Sequence, residues 1–520
     1  MDHGSCRVRI ILVCVLLAMS TMLFAQTADQ QSPNVVIILA DDLGYGDISS
    51  YNEDAAFQTP HIDGLAKHGV RFTDAHTSSS VCTPTRYGIL TGRYNWRSTL
   101  KSSVTWGFSK ALIQTDRLTI ADVFKQNNYH TAFMGKWHLG WDWHFMGDVP
   151  EHLDNPTVRP EVDFSKPVTN GPGALGFTYS YGIPASLDMP PYVYVENGQP
   201  TTIPTDTTVN YDYKGFWRKG ATGSDFAHAD VLPHLTRKTV EYINQQSTNN
   251  DPFFLYFALP APHTPILPTT EYIGQSNANL YGDFILQVDG VVRQVKEALE
   301  QNGMLDNTML VFASDNGSSP RADFEELAEA GHDPSYIYRG YKADIYEGGH
   351  RVPFIVSWPD QIEEGFTSGE TISTVDFMAT AADLLGKNLP DDAGEDSYSL
   401  LPILQQKAYK KPLREATVFH SIDGRFAIRK GKWKLILWPG SGGWSAPNSK
   451  EELEGLPAFQ LYNLELDPSE EKNLMALYPE KVKALKSLLE TYIKNGRSTP
   501  GTPQQNDGAK RWDQLDWIDL

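Results

Sequence analysis

The residue best suited to covalent chemistry in this chain is Cys82, which opens the motif C-x-P-x-R at 82–86. The chain has three cysteines, and Cys6 and Cys14 lie in an N-terminal stretch with the features of an export signal. A single remaining thiol in an oxidising compartment has no partner for an intramolecular disulfide, so it is either buried and inert or reactive. The sequence predicts a helix beginning at Cys82. The sulfur would then lie at the positive end of the helix dipole, with Arg86 one turn further along the same face.

Two adjacent carboxylates, Asp41 and Asp42, follow the apolar run 34–40 and precede a glycine-rich turn. Neighbouring carboxylates raise each other's pKa unless a cation lies between them. A divalent ion that prefers oxygen ligands, Ca²⁺ or Mg²⁺, would resolve this repulsion, with Asp315 and Asn316 completing the ligand shell. Calcium is favoured because it accepts irregular coordination. Each motif alone is equally compatible with a solvated turn, and their joint occurrence after two predicted strands favours the metal site.

Several short apolar runs in the chain each end in polar residues. Runs of this kind, alternating with helical patterns, are typical of buried strands in a mostly parallel sheet. Ligands bind beyond the carboxyl ends of such strands. We therefore predict an α/β fold with a large, mostly parallel (mixed) sheet sandwiched by helices and the polar residues gathered at one edge. The predicted strands are 34–40, 70–75, 130–134, 253–259 and 309–313, and the predicted helices are 60–68, 118–126, 235–246, 284–301 and 375–385.

The chain is too long for a single core, and its pattern changes near 390–399. We predict a catalytic domain at 33–395 and a smaller C-terminal α+β subdomain at 396–520, with a short antiparallel sheet and one helix. The elements predicted there are 426–429, 433–438, 460–464 and 479–494. The stretch 141–230 is rich in Pro, Gly, Tyr and Asp, and we interpret it as a long excursion over the edge of the site.

The N-terminus has the pattern of an export signal. Arg7 and Arg9 precede an apolar run at 10–24, which Ala25 follows. This predicts a cleavable signal peptide at 1–25 and an exported protein, periplasmic or secreted, without a membrane span after signal removal; an uncleaved anchor is the alternative. With 64 acidic and 44 basic residues the net charge is −20, which disfavours nucleic acid as a partner. An anionic substrate would need local cations or a metal ion.

Taken together, the motifs resemble those of the type I, formylglycine-dependent sulfatases, in the order of that family and over about 33–500. The motifs are Asp41-Asp42-Leu43-Gly44-Tyr45-Gly46-Asp47, Cys82-Thr83-Pro84-Thr85-Arg86 with Leu90-Thr91-Gly92-Arg93, Gly135-Lys136-Trp137-His138-Leu139-Gly140, Pro262-His263-Thr264-Pro265, Asp315-Asn316-Gly317, and Tyr341-Lys342 with Glu347-Gly348-Gly349. One departure is Thr85, where the family most often has serine. The resemblance implies that a formylglycine-generating maturation enzyme oxidises Cys82 to formylglycine (3-oxoalanine), whose hydrate attacks sulfur. The ligands of the calcium or magnesium ion would be Asp41, Asp42, the modified Cys82, Asp315 and Asn316.

The resemblance also implies roles for basic residues near these motifs. Arg86 and Lys136 would orient and polarise the hydrate, and Lys342 would hold the sulfate oxygens. His263 would contact the substrate and protonate the leaving oxygen, while His138 would stabilise the hydrate and accept its second proton. The alternative for each histidine is a hydrogen-bonded structural residue, and for Lys342 a surface ion pair.

Five positions outside these motifs are weaker candidates. Ser186 matches a place where family members put a hydroxyl against the sulfate, with a loop cap as the alternative. His350 and Arg351 are candidates for contact with the metal shell or the substrate, and a structural turn is equally compatible. Trp96 and Arg97, which follow the Cys82 helix, are candidate sugar contacts.

The leading hypothesis is an exported sulfatase that removes sulfate from a sulfated polysaccharide or its oligosaccharides. A phosphonate or phosphodiester hydrolase on the same scaffold is the first alternative, because similar metals and nucleophiles serve both chemistries. The second alternative is a non-catalytic relative that binds sulfated glycans and retains an unmodified Cys82.

Overall fold

The computed structural model describes residues 32–150, 152–249 and 251–518. The predicted signal peptide, with Cys6 and Cys14, lies outside the described residues. Within the described ranges the strands are β1 (Asn34–Asp41), β2 (Val70–Phe72), β3 (Ala75–His76), β4 (His130–Lys136), β5 (Tyr179–Ile183), β6 (Val195–Glu196), β7 (Gln199–Pro200), β8 (Asp206–Asn210), β9 (Trp217–Thr222), β10 (Phe253–Pro262), β11 (Thr308–Ser314), β12 (Phe354–Ser357), β13 (Phe366–Ser368), β14 (Ile372–Ser373), β15 (Thr417–His420), β16 (Phe426–Lys430), β17 (Trp433–Ile436) and β18 (Gln460–Asn463).

The α-helices follow the periodic segments of the sequence. Asn279 caps the longest of them, because its side chain accepts hydrogen bonds from the free amides of Tyr281 and Gly282. The helices of the described segments are α1 (Pro60–Lys67), α2 (Cys82–Thr91), α3 (Ile120–Lys125), α4 (Val231–Gln246), α5 (Leu280–Gln301), α6 (Phe324–Glu329), α7 (Glu347–His350), α8 (Phe377–Leu384), α9 (Leu401–Leu404), α10 (Lys450–Leu453) and α11 (Pro479–Lys494).

A ten-stranded sheet forms the centre of the molecule, in the order β13-β2-β12-β11-β1-β10-β4-β5-β6-β7. The central strands β11, β1, β10, β4 and β5 are parallel to one another, and β12 is antiparallel to both of its neighbours. Alternate residues of β1 face opposite sides: Val35 and Ile37 join one apolar cluster, while Val36 and Ile38 join another. Because both faces are buried, the strand is an uninterrupted apolar run.

Helices cover both faces of this sheet. On one face, α1, α4 and α5 contribute Ile62, Leu235 and Phe284 to the apolar cluster. On the other, α3 and α8 contribute Phe124 and Met378. The predicted mostly parallel sheet between two helical layers is therefore confirmed.

A second, four-stranded antiparallel sheet has the order β15-β16-β17-β18 and packs against α11. Ile428 and Leu435 of this sheet meet Leu489 of the helix in one apolar cluster. This confirms the predicted α+β element near the C-terminus. The boundary at 395/396 stays a prediction, and the short helix α9 packs into the core of the main sheet.

The interpretation of 141–230 as an excursion over the edge of the site is partly wrong. Residues Tyr179–Ile183 form β5, which pairs in parallel with β4 and extends the main sheet. This segment has five residues and little periodicity, so tertiary pairing rather than pattern makes it a strand. The hairpin of β8 and β9 does approach the site, since Tyr213 and Phe216 in its connection line the cavity there.

Candidate active site

The parallel strands bring residues that are far apart in sequence to one edge of the main sheet. Asp41 ends β1, Lys136 ends β4, and Asp315 and His263 directly follow β11 and β10. Cys82 is the first residue of α2, and its Sγ lies 3.5 Å from Asp41 Oδ1. We call this the carboxyl edge, because parallel strands ending together place their C-terminal residues around one crevice.

Cationic side chains hold each carboxylate of the carboxyl edge. Lys136 Nζ donates to both oxygens of Asp41, at 2.8 and 2.7 Å. Arg86 Nη2 donates to Asp315 Oδ2 at 2.7 Å, and Lys342 Nζ lies 2.5 Å from Asp42 Oδ1. All these side chains are buried. Three carboxylates therefore balance three cations. The carboxylates are those of Asp41, Asp42 and Asp315, and the cations are Arg86, Lys136 and Lys342.

The pKa values of these carboxylates diverge. Burial raises the pKa of Asp41, but Lys136, His263 and Arg86 outweigh burial and hold it well below its usual value. Burial and the repulsion from Asp41 raise the pKa of Asp315 to about 6. The pKa of Asp42 is also raised, mainly by burial. Burial therefore disfavours the charged forms of Asp42 and Asp315, and a cation bound beside them would stabilise those forms.

The donor atoms fit an oxygen-coordinated divalent ion. Asn316 Nδ2 donates to Asp42 Oδ1 at 2.8 Å, while Asn316 Oδ1 is buried without a hydrogen-bond partner among the described residues. Carboxylate oxygens together with an unpartnered amide oxygen suit Ca²⁺ or Mg²⁺. Ligand atoms of Asp41, Asp42, Cys82 and His263 all lie within 4.8 Å of one another. A divalent ion added to this neutral set would give it a net charge of about two positive units. A sulfate ester with one negative charge and an ionised nucleophile would together neutralise that charge.

The Cys82 thiol is not activated in its unmodified form. Burial raises the pKa of Cys82 to about 12, although Lys136 and Lys342 oppose the shift. The thiol is therefore protonated at neutral pH and is a weak nucleophile, since the thiolate is the reactive species.

Hydrogen bonds orient the two histidines of the site differently. Thr105 O accepts from His138 Nε2 at 2.8 Å, which leaves His138 Nδ1 as a lone-pair acceptor that is buried and has no partner within the described ranges. Thr264 O accepts from His263 Nδ1 at 2.5 Å, and His263 Nε2 lies 3.6 Å from Asp42 Oδ2. Burial lowers the pKa of both imidazoles, that of His263 to about 3. One nitrogen of each ring is thus free to exchange a proton.

A cavity of about 440 Å³ opens onto these groups. Cys82, His138, His263 and Lys342 line it, and so does Ser186, whose Oγ is buried and lacks a described hydrogen-bond partner. The remaining wall includes four aromatic and two cationic residues, which are Trp106, Tyr213, Phe216, Trp444, Arg218 and Arg321.

Comparison with known families agrees with this arrangement. A family model described as Sulfatase matches residues 33–387, and a second, described as N-sulphoglucosamine sulphohydrolase, C-terminal, matches residues 340–497. The chain belongs to the sulfatase family. It is thus a sulfuric ester hydrolase, and the predicted family and activity are confirmed.

Relatives cover nearly the whole sulfatase. It is 36% identical over 500 residues to an N-acetylgalactosamine-6-O-sulfatase of Bacteroides thetaiotaomicron, which covers 89% of this chain and 93% of that protein. Human arylsulfatase A is 30% identical over 495 residues, covering 90% of this chain and 89% of its own length. A solved structure from work on the metabolism of multiple glycosaminoglycans by Bacteroides thetaiotaomicron has a TM-score of 0.77 and 34% identity, and covers 89% of this chain and 99% of that one.

Two candidate sugar contacts of the sulfatase are wrong. Trp96 and Arg97 are both 0% exposed. Trp96 packs edge-on against Phe426 of the small sheet, and Arg97 donates through Nε and Nη2 to the two oxygens of Asp396, both at 2.8 Å. Both residues are buried by the small sheet and by Asp396, so sugar cannot reach them.

His350 and Arg351 also lie outside the cavity of the sulfatase. His350 is buried and accepts a hydrogen bond from Lys434 Nζ at 3.0 Å, and Arg351 pairs with Glu347 at 3.0 Å and with Asp74 at 3.1 Å. Of the two interpretations offered for them, the structural one is correct.

Several residues of the cavity wall were not singled out from the sequence. Asp188 and Arg218 form an ion pair there, and Trp106 and Phe216 flank the Arg218 guanidinium. The only signal available was the position of Asp188 two residues after Ser186. Nothing in the spacing associates Asp188 with Arg218, because the pair forms between a turn and the start of β9.

Proposed function

We propose that this sulfatase removes the 6-O-sulfate of N-acetylgalactosamine residues in a sulfated glycan. The observation that carries the proposal is the 36% identity, over 89% of the chain, to an N-acetylgalactosamine-6-O-sulfatase. The mouse and rat N-acetylgalactosamine-6-sulfatases, at 26% identity, cover 95% and 92% of the chain. An aromatic-walled cavity of about 440 Å³ agrees with a sugar-sized substrate.

The proposed nucleophile derives from Cys82, converted by a formylglycine-generating enzyme. Once formed, formylglycine hydrate would supply one hydroxyl to attack sulfur, and deprotonation of its second hydroxyl would release sulfate by carbon–oxygen cleavage and restore the aldehyde. A calcium ion, or magnesium, held by Asp41, Asp42, Asp315 and Asn316, would neutralise negative charge on the sulfate and the nucleophile. The unmodified thiol, protonated because burial raises its pKa to about 12, could not perform this attack.

The chain's own side chains orient the ester and move protons. Lys342 Nζ lines the cavity and would bind sulfate oxygens, and the unpartnered Ser186 Oγ would donate to them. Lys136 and Arg86 reach the same edge and would keep the nucleophile polarised. Burial and the Lys342 charge lower the pKa of His263 to about 3 in the site without substrate. In this proposal the bound sulfate offsets that charge, so that His263 becomes protonated and its Nε2–H is delivered to the leaving sugar oxygen.

His138 has the complementary task. Its Nδ1 is unpartnered, while its Nε2–H is committed to Thr105 O at 2.8 Å. The ring is thereby fixed in the tautomer that can accept a proton on the cavity side. We assign His138 to stabilising the hydrate and accepting the proton of its second hydroxyl.

Export to the periplasm or the medium is part of the proposal, and the predicted signal peptide at 1–25 supports it. Of the helices in the described part of the chain, none has the length and apolar character needed to span a membrane. The division at 395/396 is likewise retained as a proposed domain boundary.

The test compares sulfate release from 6-sulfated and 4-sulfated N-acetylgalactosamine, 4-nitrophenyl sulfate and an aryl phosphodiester. The protein is produced with a formylglycine-generating enzyme, and peptide mass analysis reports the state of Cys82. We expect the 6-sulfate to be preferred over the 4-sulfate, and Cys82→Ala to abolish turnover without changing the unfolding midpoint. Dominant phosphodiester turnover would identify the alternative hydrolase. Binding of sulfated glycan without sulfate release by matured protein would identify the non-catalytic alternative.

A further inference from the structure

The wall of the catalytic cavity contains one carboxylate, Asp188, with no part in the hydrolysis described above. It is the only acidic side chain among the described residues that line the cavity. Asp188 is 6% exposed. Its Oδ2 accepts from Arg218 Nη1, but its Oδ1 is buried and has no hydrogen-bond partner among the described residues.

The position of Asp188 identifies the part of the substrate that it faces. Lys342, which would bind the sulfate, and His263, which would serve the leaving oxygen, line the same cavity. Asp188 shares this cavity wall with both residues. A carboxylate repels a sulfate group, so Asp188 suits the alcohol portion of the ester next to His263.

The Asp188–Arg218 pair is held in place on several sides. Arg218 N and Nη1 donate to Asp188 O at 3.3 and 3.2 Å, and Tyr192 Oη donates to Arg218 O at 2.6 Å. The Arg218 guanidinium carbon lies 5.0 Å from the ring centre of Trp106 and 5.2 Å from that of Phe216. These contacts pre-orient the carboxylate, as expected of a binding group rather than a surface ion pair.

A buried carboxylate oxygen without a donor is costly unless something supplies the hydrogen bond. A sugar ring presents hydroxyl donors beside its ester oxygen, whereas a simple aryl sulfate presents none. We propose that Asp188 Oδ1 accepts a hydrogen bond from a ring hydroxyl of the sulfated sugar, so that the Asp188–Arg218 pair selects sugar sulfates over aryl sulfates. This inference rests on the proposed function, because it assigns a specificity residue to that same cavity.

The test measures kcat/KM for 6-sulfated N-acetylgalactosamine and for 4-nitrophenyl sulfate. A hydrogen bond to a charged group corresponds to roughly 10- to 150-fold in kcat/KM, so the sugar-to-aryl ratio should fall by about that factor in Asp188→Ala. It should fall by less in Asp188→Asn, which keeps a neutral acceptor oxygen. The loss should appear mainly in KM if the contact acts on ground state and transition state alike. Asp230→Asn is the matched control, because Asp230 pairs with Arg237 on the surface, and it should leave the ratio unchanged.

Substrate analogues test the same contact without relying on a variant that must fold. With the 3-deoxy or the 4-deoxy sugar sulfate, the wild-type protein should lose activity by a similar factor, and Asp188→Ala should lose nothing more with that analogue. Equal losses on sugar and aryl sulfates, or wild-type turnover insensitive to both deoxy analogues, would overturn the inference. If matured wild type hydrolyses the aryl ester but no sugar sulfate, the proposed function itself fails.

Discussion

Replacing Arg97 tests whether this side chain stabilises the fold through its buried contacts or binds sugar. Its guanidinium is completely buried, with two hydrogen bonds to Asp396 at 2.8 Å and a third to Tyr492 O at 2.9 Å. The guanidinium carbon also lies 4.1 Å from the ring centre of Trp96. Arg97→Ala removes all of these contacts and leaves Asp396 buried without its counter-charge.

The expected cost follows from that uncompensated charge. Removing one partner of a buried ion pair destabilises a protein by about 3–5 kcal/mol. The double variant Arg97→Met with Asp396→Asn should lose less than the two single losses added together, because no unpaired charge remains. Arg237→Ala is the matched control, since Arg237 and Asp230 have side chains 55% and 53% exposed, and an exposed pair contributes about 1 kcal/mol or less.

Urea denaturation followed by tryptophan fluorescence gives the free energy of unfolding, and turnover of 4-nitrophenyl sulfate and of a sugar sulfate is measured in parallel. We expect Arg97→Ala to reduce stability strongly and to affect both substrates equally at temperatures where the variant stays folded. A stability loss below about 1 kcal/mol would refute the argument from burial. Normal stability with a loss confined to the sugar substrate would restore Arg97 as a sugar contact.

Three further outcomes are expected. His263→Ala should lower kcat roughly 100- to 10,000-fold on sugar sulfates and far less on 4-nitrophenyl sulfate, whose leaving group needs no acid, and equal losses would reassign His263. Chelation of calcium should abolish turnover. Calcium at a hundredfold excess over its Kd should then raise the free energy of unfolding by about 2.7 kcal/mol. A free energy of unfolding that does not change with calcium would contradict the metal site. Burial, and repulsion from Glu347, raise the pKa of Glu470 to about 7 from 4.5. The folded state therefore retains a proton that the unfolded chain releases. In urea titrations, the stability of wild type relative to Glu470→Gln should fall as the pH rises from about 5 to about 7. If the stabilities of the two proteins change in parallel with pH, this linkage is excluded.

The sequence was sufficient for features that depend on local pattern. Apolar runs such as 34–40 identify buried strands because both faces of each are covered, and parallel strands must end at a common edge. The meeting of Asp41, Lys136 and Asp315 follows from that topology alone. Their types then limit the chemistry to oxygen ligation of a cation and to binding of an anion.

Tertiary structure alone decided which aromatic and charged residues face the substrate. Trp96 and Arg97 follow the Cys82 helix, yet packing against the small sheet and Asp396, about 300 residues later, buries them. Asp188 lies in a turn and Arg218 at the start of β9, and only the path of the chain brings the two into the cavity wall as an ion pair. Strand ends are positioned by backbone hydrogen bonds that a local pattern encodes, whereas loop contacts depend on the sum of many distant packing interactions.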